Sequence, residues 1–248
     1  MAERLRRRVR TAVVWELLAV ALAERMAATG TTALDVVDVG GGTGGFAVPL
    51  AEEGHRVTVV DPNPDALAAL TRRAAEAGVS DRVDARQGEA AAVVELLGTG
   101  CADVAVCHGV LEVVDDPVEA LRGIAAIVRH SGVASVLVAG RFAAVLARAV
   151  AGHLEDARHA LGDPDGRWGS TDPLPRRFDE QSLTRAFEAA GLRVQQVHGV
   201  RVFSDLVPGS VVDDPAGTRA LLELEAAAAD HPAFRAVAAQ LHVLAARP

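Results

Sequence analysis

The chain has 248 residues, half of them apolar, which suits one α/β domain with a large core and no need of disulfides. Its formal net charge is −8, which argues against wrapping nucleic acid through broad basic charge but leaves room for a local basic mouth. Two cysteines, Cys101 and Cys107, match no zinc spacing and read as small buried hydrophobes in a reducing cytosol; no metal is expected.

The first predicted element is a helix over 4–28, with Leu5, Val9, Val13 and Leu17 on one face. Its "RLRRRVR" and "TAVVWELLAVALAERM" imitate an export signal. Glu16 interrupts the apolar run, which is also too short to cross a bilayer, so a cytoplasmic protein without a membrane partner is expected. Val36–Val39 reads as a strand, followed by a glycine turn and a helix over 46–53. Strand 55–61, helix 64–77, strand 82–87, helix 90–97, strand 102–108, a helix from Pro117 to about Val128 and strand 132–138 come next. Strict alternation implies a parallel sheet with helices on both faces and a ligand edge at the strand C-termini. Residues 141–160 read as one helix, and the Gly-, Pro- and Asp-rich 162–177 as a loop. A helix over 179–190, a strand at 192–200, a helix over 216–229 and a strand at 241–247 complete the chain. The expected architecture is thus a Rossmann-like α/β fold of seven strands, mostly parallel with an antiparallel last strand. It is read as a single domain over 1–248, with residues 1–30 covering a cofactor and 141–180 as a substrate-region insertion.

The stretch "DVVDVGGGTGGFAVPLA" (35–51) carries the strongest chemical signal. Gly40, Gly42 and Gly45 satisfy G-x-G-x-x-G, a mark of dinucleotide dehydrogenases. Gly40, Gly42 and Gly44 satisfy G-x-G-x-G, a mark of S-adenosylmethionine (SAM) methyltransferases. Either way, glycine lets the backbone turn sharply beside a ligand at a helix N-terminus. Asp61 ends the second strand 21 residues beyond Gly40, where a carboxylate can accept both ribose hydroxyls of NAD or SAM; the "DPNP" context, with Pro62 next to it, also fits a plain N-cap. Glu89 and the backbone near Ala90 are candidates for an adenine amine, or Glu89 is an exposed capping acid. His108 ends the fourth strand and is a candidate for cofactor contact and for catalysis; the plainer reading is a buried, hydrogen-bonded histidine. Arg10 reads either as a solvated basic residue or as a guanidinium for the SAM carboxylate. Arg141, Arg176, Arg177, His198 and Arg201 surround the variable region after the fifth strand and could hold an anionic substrate. No Asn/Asp-Pro-Pro-aromatic motif or Pro-Cys nucleophile follows the fourth strand.

"VVDVGGGTGGFAVPLAEEGHRVTVVD", "VCHGVLEVVDDP" and "GVRVFSD...ALLELE" resemble the class I SAM methyltransferases, and more narrowly the bacterial tRNA enzymes that methylate 5-carboxymethoxyuridine at the wobble position. The resemblance runs from about Arg10 to Arg247. It implies SAM as cofactor, S-adenosylhomocysteine as product, and cofactor contacts at Arg10, Gly40, Gly41, Asp61, Ala90, Ala91 and His108, to which Asp38, Gly42, Gly44, Pro62 and Glu89 are added by position. It places Arg201 near the substrate mouth, with Gly45 as a helix-packing residue. Family members can carry a Lys/Arg-rich run after the fifth strand's helix. "ARHALGDPDGRWGSTDPLPRR" holds acidic residues and few bases there, so tRNA and an anionic small molecule both stand as acceptors. The alternatives are a small-molecule methyltransferase of specialised metabolism, an NAD-dependent dehydrogenase and a SAM-binding protein without activity.

Overall fold

A computed structural model describes residues 2–248, with side chains described from Thr11 onward. Helix α1 is Ala2–Thr29, followed by β1 Asp35–Val39, α2 Ala47–Glu52, β2 Arg56–Asp61, α3 Pro64–Glu76 and β3 Val83–Gln87. A 3-10 turn at Ala90–Ala92 leads into α4 Val93–Leu97. Then come β4 Ala102–His108, α5 Pro117–Ile127, β5 Val128–Ala139, α6 Arg141–Val150 and α7 Leu154–Gly162. The chain ends with α8 Glu180–Ala189, β6 Arg193–Val200, α9 Gly209–Asp213, α10 Pro215–Ala229, α11 Pro232–Val237 and β7 Gln240–Ala246.

The seven strands form one mixed sheet in the order β3-β2-β1-β4-β5-β7-β6, mostly parallel with the last strands antiparallel. β1 pairs in parallel with both β2 and β4, placing Val39 beside Val60 and Cys107. Valines of β1 and β2 and the whole run Ala102–Cys107 are buried, as a parallel strand covered on both faces requires. The antiparallel β5–β7 pairing shows in its end bonds: Ser131 N–H donates to Arg247 O and Arg247 N–H to Gly132 O, while Gly140 N–H donates to Ala239 O at the other end.

The Cα framework divides into two compact units. One comprises 20–136, 184–195 and 243–248 and contains β1–β4 entire; the other comprises residues up to 19, 137–183 and 196–242 and contains α6, α7 and α9–α11. In the first unit, the N-terminal strand ends carry a chain of ion pairs: Arg56 to Asp35, Asp35 to Arg129, Arg129 to Asp103 and Asp103 to Arg25. Paired charge therefore sits at that edge, and the C-terminal edge is left for a ligand.

The predicted single helix over 141–160 is two helices. Gly152 adopts φ +82°, and His153 N–H reaches back to Arg148 O at 2.9 Å, a Schellman-type stop that an Ala-rich reading overlooks. The fifth strand starts at Val128 rather than 132, because it begins where α5 ends. Helices α9 and α11 are additions: each is only five or six residues long, too short for a periodic pattern. No helix among the described residues is long and apolar enough to cross a membrane.

Candidate active site

β1 lies between β2 and β4, so successive connections leave it on opposite sides and a crevice opens beyond its C-terminus. Gly40, Gly42 and Gly44 have φ of +73°, +54° and +78°, the left-handed region, whereas Gly45 is absent from the positive-φ glycines. A Cβ on Gly40 would collide with Val110 Cγ2, one on Gly41 with the Asp38 carboxylate, and one on Gly44 with Leu70 Cδ1. A Cβ on Gly45 would meet nothing within 4 Å. The expected helix-packing role of Gly45 is therefore corrected: Gly44 makes the close approach to α3, and Gly45 is exposed. The alternating glycines are the ones the backbone demands, which is the G-x-G-x-G pattern.

Asp61 is 8% exposed at the end of β2. Its Oδ2 accepts Gly42 N–H at 2.9 Å and its Oδ1 accepts Asn63 N–H at 2.9 Å. The carboxylate thus ties the glycine loop to the turn after β2, with further lone pairs on both oxygens. The N-cap of α3 is Asn63, which accepts from Asp65 N–H and Ala66 N–H. Asp61 is not the cap.

Asp38 is buried, and burial, followed by the nearby Asp61 charge, raises its carboxyl to about 7. His108 ends β4 with Nε2 3.0 Å from Ser135 Oγ and its ring edge-on to Phe46, centroids 4.6 Å apart. The residue is half-buried, yet Nδ1 is enclosed, and desolvation pushes the imidazole down to about 3. Glu89 precedes the 3-10 turn and makes no capping bond. Burial also raises the Cys107 thiol, with Glu112 and Asp38 adding to it, which disfavours its reactive thiolate; both cysteines are free.

A cleft of about 530 Å³ occupies the switch point, within the size range of small-molecule sites. Gly40, Asp61, Pro62, Glu89, Ala90 and Ala91 line it; Asp38, Gly41, Gly42, Gly44 and His108 are not part of that lining. The Arg10 side chain lies outside the described residues. The sequence reading missed the wall supplied by Gly109, Val110, Val113 and Glu119. Its available signal was the "HGVLEVVDDP" turn leaving the same strand edge, closed by Asp116, which caps α5 through Val118 N–H and Glu119 N–H.

Every ionisable residue in the described lining is acidic: Asp61, Glu89, Asp115, Asp116 and Glu119. At an effective dielectric near 20, like charges about 4 Å apart repel by about 4 kcal/mol. That opposes a pyrophosphate and favours a ligand bearing a sulfonium and an ammonium. The glycine cradle, the volume and the sign of the charge all fit SAM.

The expected substrate residues lie in the second unit, each with a partner of its own. Arg141 donates to the carbonyls of Leu161 and Asp163. Arg177 is buried, gripping Asp172 with two bonds of 2.7 and 2.9 Å while its guanidinium lies 4.1 Å from the Trp168 ring centre. His198 is buried, 3.3 Å from Asp230 and stacked on His242, and burial lowers its pKa. Arg201 pairs with Asp205. Arg176 also has a partner.

The sheet order and this cleft define a class I SAM-dependent methyltransferase. The chain belongs to the methyltransferase domain family, whose pattern matches residues 1–197. It is 30% identical over 240 residues to the tRNA 5-carboxymethoxyuridine methyltransferase of Escherichia coli strain K12, covering 97% of this chain and 88% of that one. Among solved structures it resembles magnesium protoporphyrin IX methyltransferase from Synechocystis PCC 6803 with bound S-adenosylhomocysteine (TM-score 0.59, 15% identity, 98% of this chain and 83% of that one). It also resembles the Burkholderia thailandensis 1,6-didemethyltoxoflavin N1-methyltransferase with bound 1,6-didemethyltoxoflavin and S-adenosylhomocysteine (TM-score 0.54, 23% identity, 92% of this chain and 76% of that one). The enzyme class and SAM as cofactor follow; the NAD-dehydrogenase and inactive-scaffold readings do not.

Proposed function

We propose that the protein methylates the carboxylate of 5-carboxymethoxyuridine in tRNA, in the cytoplasm. The observation that carries this reading is similarity over nearly the whole length of both chains to a methyltransferase of that substrate.

When bound, SAM supplies an electrophilic methyl on a sulfonium sulfur, which leaves as the thioether of S-adenosylhomocysteine. In the proposal Asp61 holds the ribose hydroxyls; Glu89, Ala90, Ala91 and Pro62 surround the adenine. The loop Gly40–Gly44, with Asp38, faces the amino-acid portion, and Arg10 answers its carboxylate. A carboxylate acceptor is already ionised at pH 7. One of its oxygens forms the bond to methyl carbon as the carbon–sulfur bond breaks, and no proton has to move. His108, neutral and bonded to Ser135, then serves as a rigid wall behind the glycine turn; at a pKa of about 3 it is a poor base near neutrality. Rate derives from alignment of oxygen, methyl and sulfur in a dry site.

A second reading, an anionic small-molecule acceptor, draws on one observation: 154–165 contributes Glu155, Asp156, Asp163 and Asp165 against a single arginine. The deciding experiment supplies labelled SAM to tRNA carrying 5-carboxymethoxyuridine, to tRNA lacking it, and to a small-molecule extract. The proposal expects label in the first alone, released by mild base as a methyl ester, with a flat pH–rate profile from about 6 to 9. Label confined to the extract overturns the tRNA acceptor.

A further inference from the structure

The glycine turn is anchored to two elements, β2 and α3, by side chains of opposite charge. Gly44 N–H donates to Gly41 O at 2.9 Å and closes the turn Gly41–Gly44. Gly44 lies so close to α3 that a Cβ there would strike Leu70. Three residues further along α3, and so on the same face, stands the half-buried Arg73. It reaches back 30 residues in the chain, where its Nη1 donates to Thr43 O at 2.6 Å. On the other side Asp61, at the end of β2, accepts Gly42 N–H at 2.9 Å.

These bonds run in series. The Thr43 carbonyl that Arg73 holds belongs to the same peptide as the Gly44 N–H, which donates to Gly41 O. The Gly41 carbonyl belongs to the same peptide as the Gly42 N–H, which donates to Asp61 Oδ2. A guanidinium and a carboxylate are thus joined through two peptides, each with its C=O towards the cation and its N–H towards the anion. Hydrogen bonds in such a chain polarise one another, and charged ends strengthen the links they touch. The plainer role for Arg73 is that of a cation in the last turn of α3, favourable there without any partner. That role leaves the glycine turn unaffected, so measurement separates the two.

We propose that Arg73 is a positioning residue for the cofactor: through two peptides it fixes the Gly41–Gly44 turn and the Asp61 carboxylate that the turn holds. This rests on the reading of Asp61 at the ribose given above, and it is independent of the methyl acceptor. Arg73 touches no cofactor atom in this account; it acts through Thr43, Gly44, Gly41 and Gly42.

The test compares wild type, R73Q, R73K, the neighbouring R72Q, D61N and the double variant D61N/R73Q, all full-length. Affinity for S-adenosylhomocysteine is read by calorimetry, and exchange of the Gly42 and Gly44 amides by nuclear magnetic resonance. R73Q is expected to speed exchange at both amides and to weaken S-adenosylhomocysteine binding roughly 3–10-fold. R73K, which keeps a charged donor, is expected to stay within about 2-fold of wild type, and R72Q to match wild type. D61N breaks the far end of the chain, so R73Q is expected to cost less affinity on that background than on wild type. Unchanged affinity in R73Q, an equal loss in R72Q, a loss in R73K as large as in R73Q, or additive effects in the double variant overturns the proposal. If R73Q does not fold, R73M replaces it beside R73K, and equal affinity in those two overturns the proposal. Wild-type affinity in D61N refutes the ribose reading and not the relay, which unaltered amide exchange in R73Q refutes by itself.

Discussion

Substituting Gly40 and Gly45 separately decides which glycines serve the cofactor. Alanine at position 40 must adopt φ +73°, costing about 1–2 kcal/mol for an L-residue. Its Cβ also drives into Val110, a side chain that lines the cleft, and overpacking of that kind adds about 1–3 kcal/mol. A net loss of about 2–5 kcal/mol corresponds to a fall of roughly 4–20 °C in melting temperature for a chain of this size. Because Val110 can yield only towards the cleft or by shifting its own turn, S-adenosylhomocysteine affinity is expected to fall at least about 10-fold, equivalent to about 1.4 kcal/mol. Alanine at position 45 has open space and no positive φ, so G45A is expected to be neutral or about 0.4–1 kcal/mol more stable, with unchanged affinity. Thermal melts and calorimetry of the two variants supply the comparison. If G45A loses affinity as G40A does, the backbone approach at Gly45 matters, the G-x-G-x-x-G reading is the right one, and the argument from positive φ is wrong.

Asp61→Asn presents an amide N–H₂ to at least one of the Gly42 and Asn63 amides, and is expected to weaken S-adenosylhomocysteine binding about 10–100-fold in titration calorimetry. Asp38, raised to about 7 from 3.8, binds its proton more tightly in the folded chain, so its contribution is full below 3.8 and is lost as pH rises through 7. Urea melts of D38N are therefore expected to show a gain over wild type at pH 8 that vanishes near pH 4. His108 runs the other way: lowered to about 3 from 6.5, its neutral form stabilises the fold above 6.5, and that contribution is lost as pH falls from 6.5 towards 3. H108Q is expected to lose less stability than wild type between pH 6.5 and 4. Arg177→Ala strands a buried Asp172 and is expected to destabilise by about 3–5 kcal/mol in the same melts; an unchanged melting temperature would show that the pair does not hold the 162–177 loop.

The cofactor half of the molecule was legible because its constraints are local and periodic. Alternating apolar strands and helices announce a parallel sheet, and a carboxylate at the end of β2 must stand beside the turn at the end of β1. The glycine spacing by itself fits both templates, the resemblance chooses Gly44, and the backbone dihedral separates it from Gly45. It also passed over Val110 and Val113, because an apolar residue in a turn looks the same whether it faces the core or a ligand.

The second unit was legible in residue type but not in commitment. Arg141, Arg177, His198 and Arg201 were expected together as cations for an anionic substrate. Each side chain finds its first partner nearby: two carbonyls, a bidentate Asp172, a partly exposed pair with Asp230, and Asp205 four residues on. Charge on a sequence counts donors, whereas recognition depends on which donors the fold leaves unspent. By that measure Arg177, with both terminal nitrogens bonded to Asp172 and its face on Trp168, belongs to the architecture of the loop. Arg141 and Arg201 differ from it in one respect: each keeps a buried Nε without a hydrogen bond, a guanidinium donor that the fold leaves unspent.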